Sequence, residues 1–197
     1  MISKYFSIKA KIITTLFFNK KISIKKIFNI MYSSISYILK LNKSSTYPVV
    51  INMELSNKCN ERCVFCRDEK GNIFDLNPNK ENPNGFIQKG RMDFDIFSKI
   101  VNEVKDHTLL IIPYVNGEPF IYKHIDKVLK LLNQNRSGSI LSTNGILLND
   151  KHIDLILEEN LDQIKIHVSG YTNPIHQIEH LMGDVEEIKK NLINLSN

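Results

Sequence analysis

At 197 residues, with 42% hydrophobic and 24% charged residues, the chain has the makeup of one globular domain with a sizeable core. Residues 1–48 carry nine lysines and no acid, so against a net charge of +5 the remainder sums to −4; a basic face on the main domain finds little support, and no nucleic-acid partner is expected. Three cysteines cannot pair completely, which excludes a disulfide framework and points to a reducing, cytoplasmic setting.

Residues 1–22 are lysine-rich around the apolar run Ile12–Phe18, which is too short to span a bilayer and lacks the small residues of a signal-cleavage site. From 23 to 40 the pattern is helical, with Ile24, Ile27, Phe28, Met31, Ile35, Ile38 and Leu39 opposite Lys25, Lys26, Asn29, Ser33 and Ser36. Such a basic amphipathic helix can lie on an anionic membrane surface, making the protein peripheral to the membrane. The plainer expectation is that its apolar stripe packs on the main domain or on a further one. A polar stretch closed by Pro48 divides the arm, 1–48, from the domain at 49–197.

Val49 to Ser56 alternates as a strand, with Val49, Ile51, Met53 and Leu55 on one face. It runs into Cys59-Asn60-Glu61-Arg62-Cys63-Val64-Phe65-Cys66, which holds all three thiols. The C-x3-C-x2-C spacing leaves a tetrahedral metal site one ligand short, whereas a cubane iron–sulfur cluster on three thiolates keeps one iron open. A structural zinc site would need a further Cys/His pair, and His107, His124 and His152 lie far off in sequence. Arg67 to Gly90 is a long polar stretch, a lid or a solvated insertion. Asp93 is placed to cap a helix with Phe97, Ile100, Val101 and Val104 inside.

The apolar run Leu109–Val115 reads as a buried strand and leads into Asn116-Gly117-Glu118-Pro119, with Pro113 implying a bulge. A second helix buries Ile125, Val128, Leu129 and Leu132; a short strand, Ser139–Leu141, then enters Ser142-Thr143-Asn144-Gly145. A third helix spans 150–160 with Asp150 as its cap, and a fourth strand runs from Ile164 to Gly170. In the loop that follows, His176 and His180 stand at i, i+4, a spacing that can hold a metal on a helix but here reads as a variable loop. A fourth helix starts at the capping-box-like pair Asp184 and Glu187.

These motifs, in this order, resemble the radical S-adenosylmethionine (radical SAM) enzymes: the cysteine loop with an aromatic residue, Phe65, before its last cysteine; Asn116–Pro119 for a GGEP motif, with Asn116 in place of the first glycine; and Ser142–Gly145 for an STNG motif. The resemblance implies a partial (β/α) barrel, here apparently cut short after about four βα units, since 149 residues follow Pro48 at roughly 30 per unit. It implies that Cys59, Cys63 and Cys66 bind a [4Fe-4S] cluster, and that AdoMet caps the fourth iron. Glu118 would steady its ammonium, and Phe65, Gly117, Pro119, Ser142, Asn144 and Ser169 would lie around it. An external one-electron reductant, flavodoxin- or ferredoxin-like, would drive cleavage to a 5′-deoxyadenosyl radical that abstracts hydrogen from an unknown substrate. His167 is a candidate substrate contact. The general arrangement looks most like members with SPASM-type C-terminal domains, which modify peptides or sugars. A non-catalytic remnant and a zinc-binding or redox module stay open as alternatives.

Overall fold

The computed structural model describes residues 2–41, 46–66 and 90–196, with side chains from Ala10 onward. Residues 42–45 of the expected linker and the polar stretch at 67–89 lie outside the described residues. Two helices, α1 (Ile2–Phe18) and α2 (Ile24–Ile38), precede β1 (Val50–Asn52). Then α3 (Phe94–Val104), β2 (Leu110–Ile112), α4 (Ile125–Gln134), β3 (Gly138–Thr143), α5 (Asp150–Glu158) and β4 (Gln163–Ile166) alternate, followed by α6 (Asn173–His176) and α7 (Val185–Ser196). The strands form one parallel sheet in the order β1-β2-β3-β4, as expected of successive βα units.

The core lies between sheet and helices. Met53 and Leu55, just beyond β1, join Ile111 and Leu141 of the sheet against Phe97 and Val101 of α3, Val128, Leu129 and Leu132 of α4, and Ile153 and Ile156 of α5. Each of these is at most 6% exposed. Of the four residues that alternation puts on one face of the first strand, Met53 and Leu55 are in this core and Ile51 packs against it.

Strand ends differ from the sequence reading. β1 stops at Asn52, although Met53 N–H still reaches Ile112 O at 2.9 Å, because Ser56 turns away to bridge Arg91. β2 ends before Pro113, which has no N–H to give the ladder. β4 ends at Ile166, with one further bond from His167 N–H to Thr143 O (3.2 Å). Asp93 and Asp184 cap α3 and α7 as expected, accepting from Asp95 N–H (2.7 Å) and Glu186 N–H (3.1 Å). The cap of α5 is Asn149 rather than Asp150; its side chain accepts from His152 N–H at 3.2 Å.

The arm packs under the N-terminal ends of the strands, and it does so by the unexpected face. Lys26, Asn29 and Ser36 of α2 are buried and its apolar stripe is exposed, so the packing expected of that stripe on the domain is not observed. The anchor is an ion pair between Lys21 Nζ and Asp162 Oδ2 at 2.9 Å, with side chains 2% and 1% exposed. Asp162 also accepts from Asn19 Nδ2 (2.7 Å) and from Ser139 N–H (2.8 Å), tying arm, β3 and β4 together. Removing one partner of a buried pair leaves the other charge uncompensated, which costs about 3–5 kcal/mol. Asp162→Ala should lower the unfolding free energy by about that amount in urea titration and expose α1 and α2 to limited proteolysis.

Candidate cofactor site

The site is assembled where three strands end. Gly117 follows β2 with φ +70°, and a Cβ there would sit 2.4 Å from Ser56 O and 2.6 Å from Lys58 O. Only glycine allows that approach. It lets Glu118 N–H donate to Lys58 O at 2.8 Å, so the loop carrying Cys59 is stitched directly to the Gly-Glu-Pro turn. Asn116 adds two bonds to Glu54 Oε2, from its N–H (3.1 Å) and its Nδ2 (2.8 Å).

Glu118 is 1% exposed. Its Oε1 accepts from Thr143 Oγ1 (2.8 Å) and Phe120 N–H (3.1 Å), and its Oε2 from Asn144 N–H (3.0 Å). A carboxylate has about four acceptor positions, so these donors leave one on Oε2. Burial pushes the carboxyl above the usual carboxylate range, opposed by those same donors. Asn144, fixed by its own N–H, extends Nδ2 to Asn60 Oδ1 (2.9 Å) and to Cys59 Sγ (3.8 Å). Thus the ends of β1, β2 and β3 meet around one carboxylate.

The thiols are electrostatically coupled. The Cys63 thiol donates toward Cys66, which lowers Cys66 to about 7 and, with burial, raises Cys63. Burial pushes Cys59 up to about 11. Cys66 is therefore the first to offer a thiolate near neutral pH. Cys59 and Cys66 are exposed, while Cys63 is buried.

What buries Cys63 is the loop after β4. Cys63 bridges His180 in antiparallel fashion, with Val64 N–H donating to Glu179 O (2.8 Å) and Leu181 N–H to Arg62 O (2.9 Å). Under this miniature ladder lies a buried network that the sequence reading missed. His180 Nδ1 is 3.0 Å from Glu61 Oε2 and 3.2 Å from Cys63 Sγ, and its Nε2 is 3.1 Å from Ser169 Oγ. Ser169 N–H donates to Nδ1 of His176 (3.3 Å), so the neutral ring carries its proton on Nε2, 3.7 Å from Glu61 Oε1. The two rings stack at 4.3 Å. Glu61, His176 and His180 could between them surround a metal ion, but the Ser169 N–H occupies the lone pair that would free His176 Nε2 to ligate. The signals were in the chain: an acid between two thiolates needs a neutralising partner, and histidines at i, i+4 share one side of a helical turn.

The other predicted residues fall as follows. Pro119 is buried as the first residue of a short 3-10 turn, with Glu118 as its cap. Ser142 is half-buried near the end of β3, paired with Lys165. Phe65 is 53% exposed, edge-on to His167 (5.9 Å) and His180 (5.4 Å). His167 is exposed, 3.4 Å from Ser169 Oγ through Nε2.

A model of the radical SAM superfamily matches residues 53–197. Members of that superfamily use a [4Fe-4S] cluster and S-adenosylmethionine. Among curated proteins, the GTP 3′,8-cyclase of Clostridium botulinum (strain Okra / Type B1) is 25% identical over 149 residues, covering 72% of this chain and 41% of the relative. The tungsten-containing aldehyde ferredoxin oxidoreductase cofactor-modifying protein of Pyrococcus furiosus is 24% identical over 144 residues, covering 70% and 36%. The chain spans about two fifths of the length of such relatives. Streptococcus suis SuiB bound to S-adenosylmethionine superposes with a TM-score of 0.60 at 14% identity, over 83% of this chain and 33% of that one. Native anSMEcpe with bound AdoMet gives 0.57 at 17%, over 76% and 42%. The shared feature is the fold, an α/β partial barrel on a parallel sheet.

Two outcomes follow from the site's geometry. Gly117→Ala should destabilise the protein by about 2–3 kcal/mol or more in urea, since strain and a backbone clash add, and should speed labelling of Cys63 by a thiol reagent. Burial, then the neighbouring His180, holds His176 below the usual histidine range. A depressed histidine contributes stability above its unfolded pKa, about 6.5, and loses it as pH falls toward the folded value. The urea midpoint should therefore drop from pH 7 to pH 5, with a shallower slope in His176→Gln.

Proposed function

The chain belongs to the radical SAM superfamily, and we propose that Cys59, Cys63 and Cys66 hold a [4Fe-4S] cluster to which S-adenosylmethionine binds. The observation that carries this is the bracket of Glu118: one buried carboxylate fixes Thr143 and Asn144, and Asn144 in turn reaches Cys59. Three sequence motifs so joined form one site. The residues fit the group, since three thiols on one loop leave a cubane cluster an open iron, and soft thiolates suit iron.

When bound, the cluster and its ligand supply reductive cleavage of a carbon–sulfur bond and a 5′-deoxyadenosyl radical for hydrogen abstraction. The chain's own residues bind and orient. The free acceptor position on Glu118 Oε2 suits a methionine ammonium, a charge-assisted bond in a buried site. Gly117 and Pro119 shape the turn that presents it, and Ser142, Asn144 and Ser169 offer small polar groups along the strand ends. Phe65 lies edge-on to His167 and His180 at the end of the cysteine loop. His167, exposed beside Phe65, is the side chain best placed to meet a substrate.

The substrate we infer is a peptide or a sugar, with the chain akin to SPASM-type members; SuiB, crystallised with its precursor peptide, has the same fold. Residues 49–197 form the radical SAM core and residues 1–48 an accessory arm. A flavodoxin- or ferredoxin-like protein in the cytoplasm supplies the electron, and the arm gives the enzyme a means of resting on a membrane.

Anaerobic reconstitution with iron and sulfide should give about four irons per chain, and dithionite with AdoMet should then yield 5′-deoxyadenosine by mass spectrometry. Cys63→Ala should abolish the cluster's absorbance. Glu118→Ala should keep it while weakening AdoMet binding about 10-fold or more, the loss of one charged hydrogen bond. Bound zinc without a cluster, or equal cluster loss in both variants, would overturn the assignment.

A further inference from the structure

Helix α2 is packed inside out. Ile24, Ile27, Phe28, Met31, Ile35 and Ile38 share one face by their i, i+3, i+4 spacing, and a helix on a water-soluble domain ordinarily buries such a face. Here that face is outward: Ile24 is 72% exposed, Phe28 65% and Ile38 74%. The polar face is inward, and its Lys26 and Asn29 are hydrogen-bonded there. Lys26 Nζ donates to the carbonyls of Lys21 (3.0 Å) and Arg136 (2.9 Å), and Asn29 Nδ2 to those of Tyr47 (2.9 Å) and His107 (3.1 Å). Turning the helix to bury its apolar stripe would cover the carbonyls of Arg136 and His107 with side chains that cannot donate to them, so the exposure is built in. Ile13, Phe17 and Phe18 of α1 are exposed as well. An apolar helix face left this exposed marks a docking face.

The charge identifies the occupant. The arm's nine lysines are accompanied by no acid, and Lys11, Lys20, Lys25 and Lys40 are exposed around the apolar residues. Lys25 is paired with the exposed Asp106 at 3.1 Å, which leaves Lys11, Lys20 and Lys40 as the cations beside the apolar residues; apolar side chains at headgroup depth with a predominantly cationic surround complement an anionic bilayer surface. Tyr32 and Tyr37, also exposed on α2, have the amphipathic rings that settle at that depth. No helix among the described residues is long and apolar enough to cross a membrane, so the association is in the plane of the surface.

We propose that α1 and α2 dock this protein on an anionic lipid bilayer, with the apolar face of α2 set among the headgroups. The inference deepens the part of the proposed function that concerns the arm, and it is independent of the radical chemistry. It also fixes an orientation. The arm's contacts at His107, Arg136, Asn160 and Asp162 lie just before β2, β3 and β4, at the opposite end of the sheet from the cysteine loop. The docked enzyme holds its site away from the lipid.

The test uses the purified 197-residue chain and vesicles of phosphatidylcholine with or without phosphatidylglycerol. The chain should float with the anionic vesicles and at least about 10-fold less with pure phosphatidylcholine or in ~0.5 M salt, where screening is short-ranged. Phe28→Glu with Ile35→Glu, both at exposed positions, should lower the bound fraction about 10-fold or more with an unchanged circular dichroism spectrum. Because the chain has no tryptophan, Phe28→Trp is a unique reporter. Its emission should shift to the blue on anionic vesicles, while that of Ile96→Trp, on α3, should not. No binding, equal binding by the double variant, or an Ile96→Trp shift as large as that of Phe28→Trp would overturn the proposal. So would a dimer, by light scattering, that Phe28→Glu disperses in the absence of vesicle binding, which would assign the face to a second copy. Neither cluster nor AdoMet is needed, so this result and the cleavage assay stand or fall separately.

Discussion

The arrangement depends on one buried carboxylate. Glu118 is buried, and donors from Thr143, Asn144 and Phe120 favour its negative charge against that burial. Because those donors belong to β3's end and to its own turn, satisfying the charge fixes the spacing of β2 and β3. The Glu118 N–H, held by Lys58 O, fixes the first strand's loop as well. A buried ion thereby converts three flexible strand ends into one rigid rim. The absent side chain at Gly117 is the other half of the same device, since it lets the backbones come close enough for that bond.

The opposite wall of the site is held by hydrogen bonding around Glu61. Two stacked imidazoles, themselves tied to Ser169, lie against this second buried acid, and His180 Nδ1 is within reach of both it and Cys63. The two acids divide the work by position: Glu118 joins the strand ends, whereas Glu61 joins the cysteine loop to the segment after β4. The loop with the thiols is thus clamped from two directions, leaving Cys59 and Cys66 open to solvent.

Much of this was legible in the chain, and the limits have physical reasons. The cysteine spacing could be read for its donor set, whereas Gly-Glu-Pro and Ser-Thr-Asn-Gly stood out only by their order after it, through the resemblance to the radical SAM family. The helices α3, α4 and α5 were legible from apolar spacing because they bury what the spacing says they bury. Strand ends were misjudged at Asn52 and Ile166 because alternation continues past the point where tertiary bonds bend the chain. Arm packing was misread because periodicity reports that a helix has two faces, not which is inward. That depends on partners far away, the carbonyls of Arg136 and His107. Likewise His176 and His180 read as an ordinary loop until the fold set them against Glu61.

The seat of Cys63 has a consequence for how the protein is made. The thiol and His180 are 117 residues apart in the chain, and the backbone bonds that bury Cys63 come from the same late segment. A nascent chain therefore exposes all three cysteines long before the wall that shelters them has left the ribosome. During that interval the thiols are accessible to oxidants and stray metals, and the shelter of Cys63 waits for the completion of β4 and the turn beyond it.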